Sequence, residues 1–181
     1  MTLPDTDPAL SADLAAAIRH VPDFPKPGIG FKDITPVLLD PALFRRTTDA
    51  LAAAFAGEGV TRVLGIESRG FIFGAPVAQA LGVAFVPVRK PGKLPHMRVT
   101  ETYALEYGTD QLELHQDALG AGDRVLVIDD VLATGGTAAA AIRLAERCGA
   151  QVVGVGVVID LSFLPWRDAL RGRTVRALVR Y

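Results

Sequence analysis

Val125–Ile128 (VLVI) is an unbroken apolar run that ends in two adjacent carboxylates, Asp129 and Asp130. A run with no polar alternation fits a strand covered on both faces, as in parallel sheets packed between helices. The chain continues through Ala133-Thr134-Gly135-Gly136-Thr137 into an alanine-rich stretch that closes at Cys148 and Gly149. A second apolar run, VVGVGVVID, follows and ends at Asp160. Strand, helix and strand in that order predict a parallel pair joined by a crossover helix over Thr137–Cys148.

The rest of the chain extends this pattern. Ser11 reads as a helix N-cap followed by Leu14, Ala15, Ala17 and Ile18, with residues 1–9 expected to be loose. Asp40-Pro41 opens a helix carrying Leu43, Phe44, Thr47, Leu51 and Phe55 at helical spacing, closed by Gly57 and Gly59. VTRVLGIESRG predicts a short strand running into a polar loop, then a small-residue helix around Gly74–Leu81. VAFVPVRKPGK predicts a strand leading into a basic loop, and Thr100–His115 predicts a hairpin at a sheet edge. The C-terminal RDALRGRTVRALVRY predicts a short alternating strand at a solvated edge. The expected fold is one α/β domain over residues 1–181, a mostly parallel central sheet flanked by helices.

Bulk properties exclude several classes. With 19 basic and 20 acidic side chains the net charge is −1, which gives no general attraction to nucleic acid or anionic membrane. One cysteine, Cys148, cannot staple the fold and reads as a small core-side residue. No apolar run approaches the roughly 20 residues needed to span a bilayer, and the N-terminus lacks a secretion-signal pattern. A cytoplasmic protein is expected. His96 and His115 fit no metal-ligand spacing and read as ordinary surface or loop residues.

The carboxylate pair and the loop after it carry the chemistry. Ligands of open α/β sheets sit at the carboxyl ends of the strands. Adjacent strand residues point to opposite faces, so Asp129 and Asp130 reach different targets unless the strand has begun to turn. Glycines allow close backbone approach to an anion, and the first free N–H groups of a helix stabilise a phosphate. Thr134 and Thr137 add hydroxyl donors. No lysine follows the glycines, so this is not a Walker loop, and the carboxylates suit a sugar diol.

VLVIDDVLATGGT resembles the signature of the type I phosphoribosyltransferases, enzymes that use phosphoribosyl pyrophosphate (PRPP). Four further segments, FPKPGIGFKDITPVL, GIESRGFIFGAPVA, VPVRKPGKLP and TYALEYGTDQLELH, resemble the adenine-specific branch from about Ile18 to at least Asp160. The resemblance implies that Asp129 and Asp130 take the ribose hydroxyls. It implies that Ala133, Thr134, Gly135, Gly136 and Thr137 wrap the 5′-phosphate. Glu67, Ser68 and Arg69 would contact pyrophosphate, with a cis peptide between Glu67 and Ser68. Arg89, Lys90 and Lys93 would serve PRPP as well, in some family members across a dimer interface.

The same resemblance makes residues 18–36, approximately, a base-covering hood. There the backbone of Gly30 and Lys32 would read the adenine edge and Phe31 would be free to stack. Many relatives carry a larger aliphatic residue at the Gly30 position and arginine at the Lys32 position. Glu106 and Tyr107 match a mobile hairpin loop, with Glu106 as the proton-handling catalytic group. The implied reaction joins adenine to PRPP, giving AMP and pyrophosphate. Mg²⁺ is expected with PRPP, without a direct protein ligand, and a homodimer is expected. Two alternatives stay open: a 6-oxopurine enzyme, for xanthine, hypoxanthine or guanine, and a non-catalytic PRPP-sensing regulator.

Overall fold

Nine strands and six α-helices follow one another in the computed structural model, which describes residues 7–104 and 108–181. Helix α1 (Pro8–Ala17) leads into a small antiparallel pair, β1 (Arg19–Val21) and β2 (Phe31–Asp33), with the proline-rich loop between them. Then come α2 (Thr35–Leu39), α3 (Pro41–Phe55), β3 (Arg62–Ile66), α4 (Arg69–Leu81) and β4 (Ala84–Val88). A hairpin of β5 (Arg98–Ala104) and β6 (Thr109–His115) precedes β7 (Arg124–Leu132). The chain ends with α5 (Gly136–Arg147), β8 (Gln151–Asp160), α6 (Trp166–Ala169) and β9 (Val175–Arg180).

The central sheet has five strands in the order β4-β3-β7-β8-β9, and every pairing in it is parallel. The apolar run of β7 explains its central place. Val125 and Val127 pack on one face against the alanines of α5, while Leu126 and Ile128 pack on the other with Phe55 and Phe73. Each such side chain, fully buried, contributes about 1.5–3 kcal/mol relative to an exposed position. Gly154 and Gly156 of β8 make room for Phe55 of α3, whose ring atoms lie 2.6 and 3.1 Å from where their Cβ atoms would stand. The sheet therefore sits between α5 with the β5–β6 hairpin on one side and α1, α3 and α4 on the other.

Several boundaries differ from the sequence reading. Helix α1 begins at Pro8, not after Ser11, because the Asp7 side chain accepts the Ala9 N–H and Pro8 presets the helical φ. Helix α4 starts at Arg69, five residues before the expected small-residue stretch, and carries Pro76 inside it. The five-residue α2 was hidden in the proline-rich segment. The β5–β6 hairpin is a sheet of its own, joined to the end of β4 by one bridge between Arg89 and Glu113. At the C-terminus, β9 is an edge strand, but Ala177, Leu178 and Val179 are buried in succession instead of alternating. Its arginines pair inward along the sheet, Arg176 with Glu58 and Arg180 with Asp160.

Candidate active site

From β3 the chain moves outward to β4, while β7 lies on the other side of β3, so the sheet order reverses there. At such a point the loops leaving two neighbouring strands diverge and open a crevice at their carboxyl ends. Gly65 of β3 pairs with Ile128 of β7, which brings Glu67–Arg69 beside Asp129 and Asp130. A cavity of about 360 Å³ occupies that crevice. Its walls are Ile66–Arg69, Lys90, Asp129–Gly135, Thr137, Ala138 and Val157. Asp129 and Asp130 lie inside β7, which runs on to Leu132, and both line this cavity despite strand alternation.

The two carboxylates are held in an environment that disfavours their charge. Asp130 is 2 % exposed. The Nε of Arg69 lies 2.7 Å from its Oδ2, yet no donor among the described residues is aligned on that oxygen for a hydrogen bond. Asp129 accepts the Asp130 N–H at 2.9 Å. Burial, and then the charge of Asp130, push the Asp129 carboxyl well above the usual carboxylate range. Burial raises Asp130 too, with the Arg69 guanidinium pulling the other way. A buried oxygen without a donor is a place for a ligand hydroxyl or a cation.

Behind the pair, Gly135 caps α5 at φ +80°. A side chain there would meet Ala169 Cβ at 3.1 Å and the Trp166 Cβ and carbonyl oxygen at 3.2 Å. Helix α6 thus backs the loop, and it is held in turn by a 2.6 Å bond from Trp166 Nε1 to the buried Asp160. Residues Gly136, Thr137 and Ala138 begin a twelve-residue helix, so their N–H groups lack intrahelical acceptors and carry the positive end of its dipole.

The opposite wall is polar. Glu67 and Ser68 are joined by a cis peptide, where the resemblance implied one. Glu67 accepts the Lys90 N–H at 2.7 Å and Arg89 Nε at 3.0 Å. Burial pushes the Glu67 carboxyl up, but those donors and the charges of Arg89 and Lys93 outweigh it and hold it below its ordinary value. Lys90 donates to Tyr103 Oη at 3.0 Å and to Asp110. Thr137 Oγ1 donates to Tyr103 Oη at 3.4 Å, joining the hairpin to the start of α5.

Of the residues expected at the site, Glu67, Ser68, Arg69, Lys90, Asp129, Asp130, Ala133, Thr134, Gly135 and Thr137 line one cavity. Gly136 is the first residue of α5, just behind that lining. Arg89 is turned to Glu67, and Lys93 is exposed nearby. Phe31 stands across from the site, with the Arg69 guanidinium 5.2 Å from its ring centre. Lys32 points elsewhere: its Nζ lies 3.6 Å from the Tyr181 ring centre. A Cβ on Gly30 would come within 2.6 Å of His20 Cε1, so in this chain the imidazole fills the space beside Gly30. Glu106 and Tyr107 lie outside the described residues.

The sequence reading missed Tyr103, Asp110 and Glu113. Glu113, between the apolar Leu112 and Leu114, is 4 % exposed. Residues 89–98 wrap over its face of the hairpin, and it accepts the Gly92 N–H at 3.1 Å and Arg98 Nε at 2.9 Å. His115 is half-buried. It ends β6 with Nε2 buried and without a partner among the described residues, its ring centre 6.2 Å from that of His96. Cys148 packs against the core as expected, and burial raises its thiol.

Comparison with known proteins agrees with this architecture. The family described as Phosphoribosyl transferase domain matches residues 38–162. An adenine phosphoribosyltransferase of Myxococcus xanthus is 57% identical over 176 residues, which is 97% of this chain and 96% of that protein. The crystal structure of the adenine phosphoribosyltransferase from Rhodothermus marinus superposes with a TM-score of 0.92 at 52% identity, covering 97% of this chain and 100% of that one. That of Saccharomyces cerevisiae, complexed with an imino-altritol bisphosphate and adenine, gives 0.89 at 41% identity, covering 94% and 99%. The chain belongs to the phosphoribosyltransferase family, within its adenine phosphoribosyltransferase branch.

Proposed function

We propose that this protein transfers the 5-phosphoribosyl group of PRPP to adenine, releasing pyrophosphate and forming AMP, a purine salvage reaction. The observation that carries the reading is the crevice at the sheet reversal, where the carboxylate pair, the helix-start loop and basic side chains face one cavity. The yeast relative, crystallised with adenine, supports the choice of base. Offering adenine, hypoxanthine, guanine and xanthine with PRPP tests it: adenine alone is expected to turn over efficiently. No AMP from adenine would overturn the reading and reopen the 6-oxopurine and regulator alternatives.

In this proposal Asp129 and Asp130 accept hydrogen bonds from the two ribose hydroxyls. The 5′-phosphate sits on the N–H groups of residues 133–137, with the Thr134 and Thr137 hydroxyls as added donors. Glu67, Ser68 and Arg69, with Arg89, Lys90 and Lys93, form the pyrophosphate side. The ribose carbon–oxygen bond to pyrophosphate breaks as the purine nitrogen bonds to the opposite face, through an oxocarbenium-like transition state. The protein's part is to align both substrates and to stabilise the charge that gathers on the departing group. Glu106 handles the purine proton. Gly30, Phe31 and Lys32 cover the base, with Phe31 on the side of Arg69.

Mg²⁺ is proposed as the companion of PRPP, where it would neutralise diphosphate charge. The oxygen of Asp130 that lacks an aligned donor fits a ribose hydroxyl of magnesium-bound PRPP, so Asp129 and Asp130 would meet the hydroxyls and the ion would need no direct protein ligand. A homodimer and a cytoplasmic address complete the proposal on family membership. No helix among the described residues is long and apolar enough to cross a membrane.

Gly135→Ala tests the phosphate loop. The left-handed φ and the contacts with Trp166 and Ala169 force the loop or α6 to move, a cost of about 1–3 kcal/mol. Calorimetry is expected to show ribose 5-phosphate binding weakened by at least roughly tenfold. Parental affinity in that variant would take the loop out of phosphate binding.

A further inference from the structure

We propose that Asp110 is a positioning residue of the diphosphate site, one that aims the Lys90 ammonium into the cavity and, by cancelling its charge, weakens the hold on pyrophosphate. The inference rests on the reading of Lys90 as a pyrophosphate ligand. Asp110 lies directly across the hairpin from Tyr103, in register with it. Its Oδ1 is fixed by the Gln111 N–H at 2.8 Å, and its Oδ2 accepts both the Tyr103 hydroxyl at 3.0 Å and the Lys90 ammonium. An ammonium has three N–H donors. Two are spent on Tyr103 and Asp110, and the third remains for the cavity that Lys90 lines.

The surrounding charges give this pair its weight. Arg69 is engaged with Asp130, Arg89 with Glu67 and Arg98 with Glu113. Burial disfavours the charge on both Lys90 and Asp110, but their mutual contact and the Tyr103 hydroxyl overcome it, so both stay ionised at neutral pH. An arriving diphosphate therefore meets an oriented donor whose positive charge is already balanced. Like charge at short range opposes binding in a partly buried site. A carboxylate placed behind the ammonium thus lowers affinity for the leaving group once it is free. It does so without touching the ribose or the 5′-phosphate.

Calorimetric titration of the full-length protein with magnesium pyrophosphate and, separately, with ribose 5-phosphate tests this. Asp110→Asn keeps an acceptor for Tyr103 and Lys90 but removes the charge. It is expected to tighten pyrophosphate binding roughly tenfold and to lower the product-inhibition constant by the same factor, with ribose 5-phosphate unchanged. Lys90→Gln is expected to weaken pyrophosphate, and adding Asp110→Asn to it should give no tightening. Unchanged or weaker pyrophosphate binding in Asp110→Asn, or the same tightening without Lys90, overturns the proposal. If Lys90→Gln binds pyrophosphate like the parent, the assignment of Lys90 itself fails, which is a separate result. Asp110→Ser, which also removes the charge, serves if the asparagine variant does not fold.

Discussion

Replacing Asp129 and Asp130 together by asparagine is expected to weaken PRPP binding by roughly a hundredfold or more, since a hydrogen bond to an ionised group contributes about 1.5–3 kcal/mol. The fold should survive, because asparagine keeps the shape and an acceptor for the Asp130 N–H that Asp129 now receives. Isothermal titration with PRPP and Mg²⁺ measures the loss, and unchanged affinity would remove both residues from the ribose site. The single variant Asp129→Asn has a second signature. Burial and the neighbouring Asp130 raise the Asp129 carboxyl well above its ordinary value. In the unfolded chain the same group ionises in the usual carboxylate range. As pH rises from that range to the folded-state value, the unfolded chain gives up its proton first, and the protein loses stability. Above that window the penalty stays constant. Ligand-free Asp129→Asn is therefore expected to melt with the parent in acid and above it at neutral pH. Melting curves recorded across pH check this, and a constant offset at every pH would contradict it. Binding has the opposite sign: ribose hydroxyls favour the ionised pair, so PRPP affinity should grow through the same window.

Glu106→Leu is expected to lower turnover by about 10²–10⁴-fold, the range for losing a positioned proton-transfer group, while PRPP affinity changes little. The purine must shed a proton as its nitrogen bonds to the ribose carbon, and leucine preserves bulk but cannot accept it. Comparing kcat with the PRPP Kd separates the two effects. A parental rate would take Glu106 out of the mechanism. Equal losses in kcat and PRPP binding would instead make it a substrate-positioning group.

Much of this was readable before any coordinates. VLVI and VVGVGVVI are strands covered on both faces because they carry no polar residue that needs water, and they sit side by side in the sheet. The start of α5 was legible from Gly135 and Gly136 followed by alanines, and the start of α3 from Asp40-Pro41, whose aspartate caps two N–H groups. Start signals inside irregular sequence were harder to read. Asp7 and Pro8 outcompeted Ser11 as the opening of α1, and the prolines around Thr35–Leu39 masked a single short helix. The burial of Glu113 was not legible at all, since strand alternation says nothing about a loop that folds over the outer face.

Sequence alone determined the local and periodic features: the buried parallel strands, the loop that opens α5, and the acidic pair that follows the apolar run of β7. Those follow from interactions between near neighbours in the chain and from whether each face can bear water. Only the tertiary structure decided which distant groups share a charge. Arg69 meets Asp130, Arg89 meets Glu67, and Lys90 meets Asp110. Trp166 backs Gly135, and His20 fills the space beside Gly30. Each of these depends on strand order and on how loops cross the sheet reversal, and no periodicity along the chain encodes that.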